Sequence, residues 1–355
     1  MVKVGVIGVG TVSQLMHLPI LSGLPDLYRI TAVSDVSPTQ LAYISQVYRA
    51  KAYADPYALV RDPEVDAVFV CSPDQYHADY ALAAMEAGKH VFVEKPVTLC
   101  IEDLEKLIAA EKAHPELVCM VGYMRRYGQG FLKCKELLEA DRRKIEYMRF
   151  RDIILEGDFF MGQTRLPYLC GDISDEAKAD SAARRREQVG RALGEGCTEQ
   201  QRITYTMLTG LGCHTLAAVR ELVGLPVEIE SVSVQGEHVV IVFRYDDFLA
   251  VYEIVNDQDV VQFDAAIEIY QHDRRMKIKY ETPYLRYQPQ TFEVIESTKH
   301  DTKTTLYGPD YRDPFEEEVK YYHQCITGGK RPKSDFQDAM ADLVLFRDIC
   351  RKIRT

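Results

Sequence analysis

Apolar positions in the first 122 residues fall into short continuous runs that are separated by helical stretches. The runs that predict strands are Val2 to Ile7, Ile30 to Asp35, a weak one near Ala50 to Tyr53, Val65 to Cys71, His90 to Val93 and Leu117 to Val121. Helical patterns cover Tyr76 to Gly88 and Ile101 to Ala113. This alternation predicts an α/β fold with a doubly wound parallel sheet, whose strands are buried on both faces.

After residue 122 the pattern changes to strands that are joined by short turns. We predict a helix near Gly130 to Ala140, helices again over about 314–352, and strands over Lys144 to Leu155, Val260 to Tyr270, Arg275 to Tyr280 and Thr291 to Ile295. Short turns favour antiparallel pairing, so we predict an α+β domain with a large mixed, mostly antiparallel sheet. A chain of 355 residues exceeds the usual size of one core, which favours two domains, 1–122 and 123–355.

A charged segment over about 172–201 interrupts the second half of the chain. Residues Ala177 to Val189 are mostly good helix formers, and Gly190 is the first weak point. The segment is interpreted either as a surface or oligomer-facing excursion, or as a helix that shapes or covers the substrate pocket.

Charge and composition argue against several classes of partner. The formal net charge of -11 disfavours nucleic acid, because phosphate binding needs a basic surface. No apolar run reaches about 18 residues, so we expect no membrane span, and the first residues show no signal-peptide pattern. Nine cysteines without a C-x-x-C pair and nine histidines without a ligand-like spacing predict reduced thiols, a cytoplasmic location and no metal site.

A glycine-rich turn with the spacing G-x-G-x-x-S follows the first strand. Gly8 permits the tight turn, and Gly10 lets the backbone approach a pyrophosphate that rests on the next helix. Thr11 and Val12 continue this phosphate-binding turn. Ser13 replaces the third glycine of the dinucleotide-binding fingerprint, so we expect slightly looser packing of helix on strand.

An acid at the end of the second strand strengthens the dinucleotide interpretation. Asp35 follows Gly10 by 25 residues, close to the spacing of a carboxylate that binds the adenosine ribose hydroxyls. It would repel a 2′-phosphate, and no Arg follows it directly. We therefore predict NAD(H) rather than NADP(H) as the cofactor.

Two more polar turns are predicted at the carboxyl edge of the same sheet, where open α/β folds bind ligands. Ser72, Pro73 and His77 belong to an S-P-D-x-x-H turn after the fourth strand, which either contacts the cofactor or simply caps the next helix. Glu94 and Lys95 follow the fifth strand and precede a proline, which predicts a charged pair beside the cofactor. For an isolated E-K-P, the alternative is a strand end with two solvated charges.

Together these motifs resemble the glucose-fructose oxidoreductase, inositol dehydrogenase and MocA family. The resemblance rests on G-x-G-x-x-S, S-P-D-x-x-H, A-G-K-H-V-F-V-E-K-P and G-Y-M-R-R-Y, and the last segment looks like the inositol dehydrogenase branch. It implies a Rossmann domain followed by an α+β domain whose sheet forms a homodimer or homotetramer. It also implies a small polyol or sugar as the substrate.

The resemblance assigns roles to residues near the end of the first domain. Tyr123, Arg125 and Arg126 become candidates for hydrogen bonding to a polyhydroxylated substrate, with solvated loop charges as the alternative for either arginine. Lys95 would bind the reacting hydroxyl and stabilise the developing alkoxide.

His214 is the predicted proton acceptor. In the resembled family this segment carries D-x-x-x-H, but here Gly210 occupies the position of the Asp. Without that carboxylate His214 should be a weaker, less constrained base, or should use another acceptor. Tyr205 and Thr209 are candidate helpers.

These residues predict an NAD-dependent dehydrogenase that oxidises a secondary hydroxyl of a cyclic polyol or sugar, or reduces the ketone. One alternative is a redox-neutral use of bound NAD for elimination or glycoside cleavage, which Gly210 makes plausible. The other is a dinucleotide-binding regulator without turnover, because the resembled family includes a transcriptional repressor. Retention of Lys95 and His214 argues against the regulator, since a site that only binds needs no acid-base pair.

Overall fold

A computed structural model describes residues 1–141, 143–154, 158–256 and 262–353 of the chain. The chain forms two compact units. The first consists of Met1–Gly122, Arg165–Glu195 and Glu318–Leu343, and the second of Tyr123–Thr164, Gly196–Glu317 and Val344–Thr355. The first unit therefore contains a central and a carboxyl-terminal stretch besides the first 122 residues.

The secondary structure consists of fourteen strands and twelve α-helices within the described ranges. The strands are β1 (Val2–Ile7), β2 (Tyr28–Ser34), β3 (Lys51–Tyr53), β4 (Ala67–Val70), β5 (His90–Glu94), β6 (Cys119–Gly122), β7 (Ile145–Ile154), β8 (Glu228–Gln235), β9 (His238–Arg244), β10 (Leu249–Asn256), β11 (Phe263–Gln271), β12 (Arg274–Tyr280), β13 (Gln290–Ser297) and β14 (Thr302–Asp310). The helices are α1 (Leu18–Gly23), α2 (Pro38–Tyr48), α3 (Pro56–Val60), α4 (His77–Glu86), α5 (Ile101–Ala113), α6 (Gln129–Ala140), α7 (Asp158–Gly162), α8 (Asp175–Leu193), α9 (Glu199–Met207), α10 (Cys213–Val223), α11 (Pro314–Gly328) and α12 (Phe336–Arg351). Short π or 3-10 turns lie over Ser13–His17, Asp74–Tyr76, Met124–Tyr127 and Leu208–Gly212.

The first unit is built on a six-stranded sheet in the order β3-β2-β1-β4-β5-β6, with every pair parallel. Strand order reverses between β1 and β4, and the carboxyl ends of these strands form the switch point at which such sheets bind ligands. Phe69 and Phe92 stack with ring centroids 4.6 Å apart, and Tyr322 packs edge-on against both. The predicted doubly wound parallel sheet is confirmed.

The second unit is built on an eight-stranded sheet in the order β14-β13-β12-β11-β7-β10-β9-β8. Neighbouring strands are antiparallel except for the parallel pair β7 and β10. The predicted mixed, mostly antiparallel sheet is therefore confirmed, and β7, β11, β12 and β13 lie where the sequence predicts strands. The predicted strand ends at Leu155 and Val260 lie outside the described residues.

Four strands of this sheet, β8, β9, β10 and β14, are missing from the sequence prediction. β14 is exposed along nearly its whole length and β8 along most of it, so neither shows a clear apolar alternation. β9 and β10 do alternate, with Val239, Ile241 and Phe243 buried on one face. This alternation is typical of half-buried strands, so both strands are predictable from the sequence.

The next observations, on membrane-spanning helices, metal-binding groups and cysteines, refer to the described residues. Within those ranges no helix is both long and apolar enough to cross a membrane. The described part of the chain holds no group of three or more His, Cys, Asp or Glu side chains suited to a metal ion. All nine cysteines lie within the described ranges and are free thiols.

Glu111 is a mostly buried carboxyl group in α5 of the first unit. It lines a cavity of about 620 Å³ together with Lys112, Val118 and Arg331. Burial and the charge of Asp335 raise the pKa of Glu111 to about 7, although the charge of Arg331 opposes this shift.

We expect Glu111→Gln to raise the melting temperature near pH 8 and to leave it nearly unchanged near pH 4. A carboxyl group with a raised folded-state pKa favours folding while it is protonated. That contribution is lost as the pH rises from the ordinary pKa of 4.5 through about 7. The amide cannot ionise, so the variant keeps its stability. Thermal unfolding across this range measures the effect, and parallel curves for parent and variant would contradict the raised pKa.

Candidate cofactor and catalytic site

The glycine turn after β1 has the geometry that a pyrophosphate requires. Gly8 has a φ of +86°, and a Cβ at this position would lie 2.6 Å from the carbonyl oxygen of Cys71. No atom lies within 4 Å of the corresponding position at Gly10, which leaves the backbone there open to a ligand. Ser13 is buried, and its hydroxyl donates to the Gly8 carbonyl at 2.5 Å. The serine thus ties the helical turn to the loop.

Asp35 follows β2 and holds the same glycine turn in place. Its Oδ2 accepts the backbone N–H of Val9 at 2.8 Å and the side-chain amide of Gln40 at 3.3 Å. Its Oδ1 accepts the backbone N–H of Ser37 at 2.9 Å. Because a carboxylate has about four acceptor positions, one on Oδ1 stays available to a ribose hydroxyl.

The turn after β4 is fixed to the E-K-P segment by a buried histidine. His77 is 1% exposed, and its ring nitrogens lie 2.7 Å from the carbonyl oxygens of Ser72 and of Pro96. Ser72 and Pro73 line the cavity beside Gly8. The geometry gives His77 the role of holding two loops together, whereas Ser72 and Pro73 are placed to meet a ligand.

Glu94, at the end of β5, is a buried carboxylate with a partner that the sequence analysis missed. Nε2 of His17 lies 2.6 Å from its Oε1, and its Oε2 accepts the backbone N–H of Lys95 at 3.1 Å. Burial alone would raise the pKa of Glu94, but the hydrogen bond and charge of His17, together with the charge of Lys95, lower it. The alternative of two solvated charges after β5 is therefore wrong for Glu94, which anchors the segment that carries Lys95.

A cavity of about 410 Å³ lies at the carboxyl edge of the six-stranded sheet. Gly8, Asp35, Ser72 and Pro73 line one side of it. Three tyrosines line a second side, with Tyr80 packed against Tyr57 at 5.6 Å and against Tyr76 at 5.9 Å between ring centroids. A glycine turn, the carboxylate of Asp35 and an aromatic wall together fit a dinucleotide.

The charged segment over 172–201 forms helix α8 and completes this cavity. Ile173, Ala177, Lys178, Asp180, Ser181 and Arg184 line its remaining side. The segment therefore helps to form a cavity in the first unit, as in the interpretation of a helix that shapes a pocket, although that interpretation named the substrate pocket and this is the candidate cofactor cavity.

Arg125 and Arg126 are buried in the second unit, so the alternative of solvated loop charges is wrong. Arg125 is 4% exposed and donates to Asp152 at 2.6 Å and to the hydroxyl of Thr215. Arg126 pairs with Glu221, which also accepts from Lys135 at 2.9 Å. Both arginines thus have internal partners that position the turn after β6.

Asp152 joins this turn to the sheet and to helix α10. The carboxylate accepts from the hydroxyl of Tyr252 at 2.8 Å as well as from Arg125, and its residue is fully buried. Burial alone would lower the pKa of Arg125, but the charge of Asp152 raises it. Thr215, bonded to Arg125, is the next residue after His214, so the network fixes the backbone that carries the candidate base.

His214 lies in the first turn of α10 and is 8% exposed. The π-helical turn Leu208–Gly212 precedes it, and a Cβ built at Gly210 would have no atom within 4 Å. The hydroxyl of Thr209 donates to the backbone carbonyl of Tyr205 at 2.9 Å, which gives Thr209 a local helical partner.

Comparison with known proteins covers the first unit most strongly. Residues 2–123 match the model of an oxidoreductase family with an NAD-binding Rossmann fold, the glucose-fructose oxidoreductase, inositol dehydrogenase and MocA family. These residues are therefore similar to the NAD-binding domain of that family. The resemblance found in the sequence motifs is thereby confirmed.

Relatives in the family are named as inositol dehydrogenases. The chain is 31% identical over 207 residues to myo-inositol 2-dehydrogenase of Thermotoga maritima, which covers 54% of this chain and 61% of that protein. It is 38% identical over 136 residues to inositol 2-dehydrogenase of Paracoccus denitrificans, covering 38% and 40%. The alignments thus span about 40 to 60% of the length of these relatives.

Solved structures share the fold over nearly the whole chain. A 3-ketoreductase from Actinomadura kijaniata, in complex with NADP and TDP-benzene, matches with a TM-score of 0.75 and 16% identity over 99% of this chain and 98% of that one. UDP-N-acetylglucosamine 3-dehydrogenase from Acidithiobacillus ferrooxidans matches with a TM-score of 0.72 and 18% identity over 99% and 97%. At these identities the likeness shows the fold alone.

Proposed function

We propose that this protein is a member of that family, an NAD-dependent oxidoreductase that oxidises a secondary hydroxyl of a cyclic polyol or sugar, or reduces the corresponding ketone. The observation that carries the proposal is the cavity that Gly8 and Asp35 line at the carboxyl edge of the sheet. The inositol dehydrogenases among the relatives support the substrate class. Bound NAD would accept the hydride.

Two residues supply the acid-base chemistry in this proposal. The Lys95 ammonium binds the reacting hydroxyl and stabilises the negative charge that develops on its oxygen. His214 accepts the hydroxyl proton. Tyr123, Arg125 and Arg126 are buried, so we assign the two arginines to positioning the turn after β6 and to holding α10.

Charges around the cavity favour NAD(H) over NADP(H). Asp35, Asp79 and Asp180 line it against two cations, Lys178 and Arg184. Arg184 is already paired, with Asp79 at 2.8 Å and with Asp180 at 2.9 Å. An added 2′-phosphate would therefore meet a negative excess.

The protein should accordingly bind NADH at least about tenfold more tightly than NADPH, a difference of about 1.4 kcal/mol. Fluorescence titration of the purified protein with each nucleotide measures both affinities at one ionic strength. Because Asp35 also holds Val9, its substitution would disturb the glycine turn, and the comparison uses the parent protein. Equal or reversed affinities would contradict the assignment of Asp35.

A redox-neutral reaction is the second candidate, and Gly210 is the observation that favours it. The family pattern has a carboxylate at this position, and its loss changes how His214 is oriented. A panel of polyols and glycosides, read by NADH absorbance and by product analysis, separates the candidates. Steady NADH production supports the dehydrogenase, whereas product without net NADH supports elimination or glycoside cleavage. Tight NADH binding without any turnover would favour a regulator.

We also propose a homodimer or homotetramer that forms through the eight-stranded sheet, in the cytoplasm. Val240 and Leu249 are apolar and exposed on neighbouring strands of that sheet. Light scattering of the purified protein gives the oligomeric state. A monomer at micromolar concentration would contradict the assembly.

A further inference from the structure

Residues 165–193, which we call the strap, run along the carboxyl edge of the first unit. Near the start of the strap, the backbone of Tyr168 exchanges hydrogen bonds with the side chain of Gln14 at 2.7 and 3.0 Å. The Tyr168 ring packs on Tyr43 at 4.2 Å between centroids. The carboxylate of Asp172 then accepts from the backbone of Thr39 at 3.0 Å. These contacts join the strap to the helices that follow β1 and β2.

Helix α8 joins the strap to the turn after β4. Gln75 donates to the Ser181 hydroxyl at 2.5 Å, and the Tyr76 hydroxyl donates to Asp180 at 2.6 Å. Gln188, farther along α8, donates to the backbone carbonyl of Gln75 at 2.9 Å. The helix thus lies across the loop that forms one wall of the dinucleotide cavity.

Two arginine–aspartate ion pairs, which we call the latches, join α8 to other parts of the first unit. Arg185 donates to both oxygens of Asp74 at 2.5 and 2.6 Å. Arg191 donates to both oxygens of Asp103 in α5, at 2.6 and 3.1 Å. Burial alone would raise the pKa of Asp103, but the hydrogen bond from Arg191 and its other partners lower it. The Arg191 pair joins two guanidinium nitrogens to the two carboxylate oxygens, which holds a defined geometry more firmly than a single surface contact, whereas Arg185 uses one nitrogen for both contacts.

The strap and the turns at the carboxyl edge of the six-stranded sheet line the same cavity. The strap supplies Ala177, Lys178 and Ser181 to its wall, which Gly8 and Asp35 also line. A ligand that fills the cavity between the glycine turn and Asp35 would therefore also meet residues of α8.

We propose that the strap is a cofactor clamp: it contacts the adenosine half of the dinucleotide and slows its release between turnovers. The inference rests on the proposed dinucleotide binding. The clamp is separate from the glycine turn, because the strap belongs to the first unit but comes from a distant part of the chain. Slow release fits either reaction candidate, and in a redox-neutral cycle it would keep one dinucleotide in place.

Loosening the two latches tests the clamp. The variant Arg185→Gln/Arg191→Gln should release NADH about tenfold faster than the parent, a change of about 1.4 kcal/mol for the loss of both latches together. Stopped-flow displacement of bound NADH by excess NAD measures the release rate. Arg186→Gln is the matched control, because Arg186 is exposed on the same helix. The control should release NADH at the parent rate.

A measurement on the parent protein alone also tests the clamp, and it does not depend on whether the variant folds. Saturating NADH should slow amide hydrogen exchange over α8 by about tenfold, because a clamped ligand stabilises the closed strap. Unchanged exchange, or unchanged release from a variant whose α8 exchanges faster, would overturn the clamp while dinucleotide binding stands. A parent that binds neither NADH nor NADPH would overturn the clamp and the proposed function together.

Discussion

Replacing Lys95 with Ala should lower turnover by about a hundredfold or more on every substrate that the parent converts. We place the ammonium at the reacting oxygen, where one well-aimed donor contributes on the order of 3 kcal/mol to transition-state stabilisation. The loss should appear in kcat, because the donor matters most when negative charge develops on that oxygen. Steady-state kinetics on a panel of polyols and sugars measures the change.

The fold and the cofactor affinity should survive this substitution. Lys95 is half-buried, and the adjacent Glu94 keeps its contact with His17 at 2.6 Å. Lys112→Ala is the matched control, because it removes an exposed ammonium from α5 of the same unit. A Lys95→Ala protein that unfolds, or that loses NADH binding together with activity, would identify the E-K-P segment as a structural device. The catalytic assignment of Lys95 would then fail.

The six-stranded sheet could be predicted from sequence because its central strands are buried on both faces. Such strands appear as unbroken apolar runs, as in β4, where every residue is buried. The glycine turn and Asp35 could be found for a related reason, since their spacing along the chain reflects one local fold. Exposed strands such as β8 and β14 leave no comparable pattern.

Side-chain partners that are distant in sequence could not be predicted in the same way. His17 and Glu94 are 77 residues apart, and Arg125 and Thr215 are 90 apart. Each pairing depends on how whole elements pack, and a single sequence does not show that packing. The turn after β6 therefore resembled a solvated loop in sequence, although its arginines satisfy buried carboxylates.

The position of the strap could not be predicted from the sequence either. Its composition is typical of a surface helix, because Arg, Glu and Ala dominate it. The arginines that suggest a solvated face form the latches to Asp74 and Asp103. Their partners lie in the S-P-D turn and in α5, both far away along the chain, so composition alone gave the helix but not its place.

His214→Ala tests the second half of the proposed chemistry. Turnover should fall by about a hundredfold or more, with NADH affinity nearly unchanged, because the variant loses the proton acceptor and keeps the cofactor cavity. His272→Ala is the matched control, since His272 is exposed between β11 and β12 of the same unit. Turnover within a few-fold of the parent would remove His214 from the mechanism and direct the search to tyrosines of the second unit.

A substitution at Gly210 provides a second test of His214, because Gly210 occupies the carboxylate position of the family pattern. A Cβ at this position would have no atom within 4 Å, so a side chain can begin there without a clash at its first carbon. Residues four apart on a helix lie on roughly the same side, so the new carboxylate would orient the imidazole of His214 and favour its protonated form. Gly210→Asp should therefore raise turnover when His214 is present and have no effect in His214→Ala. An equal rise with and without the histidine would show that the carboxylate acts by itself, and His214 would then have no catalytic part.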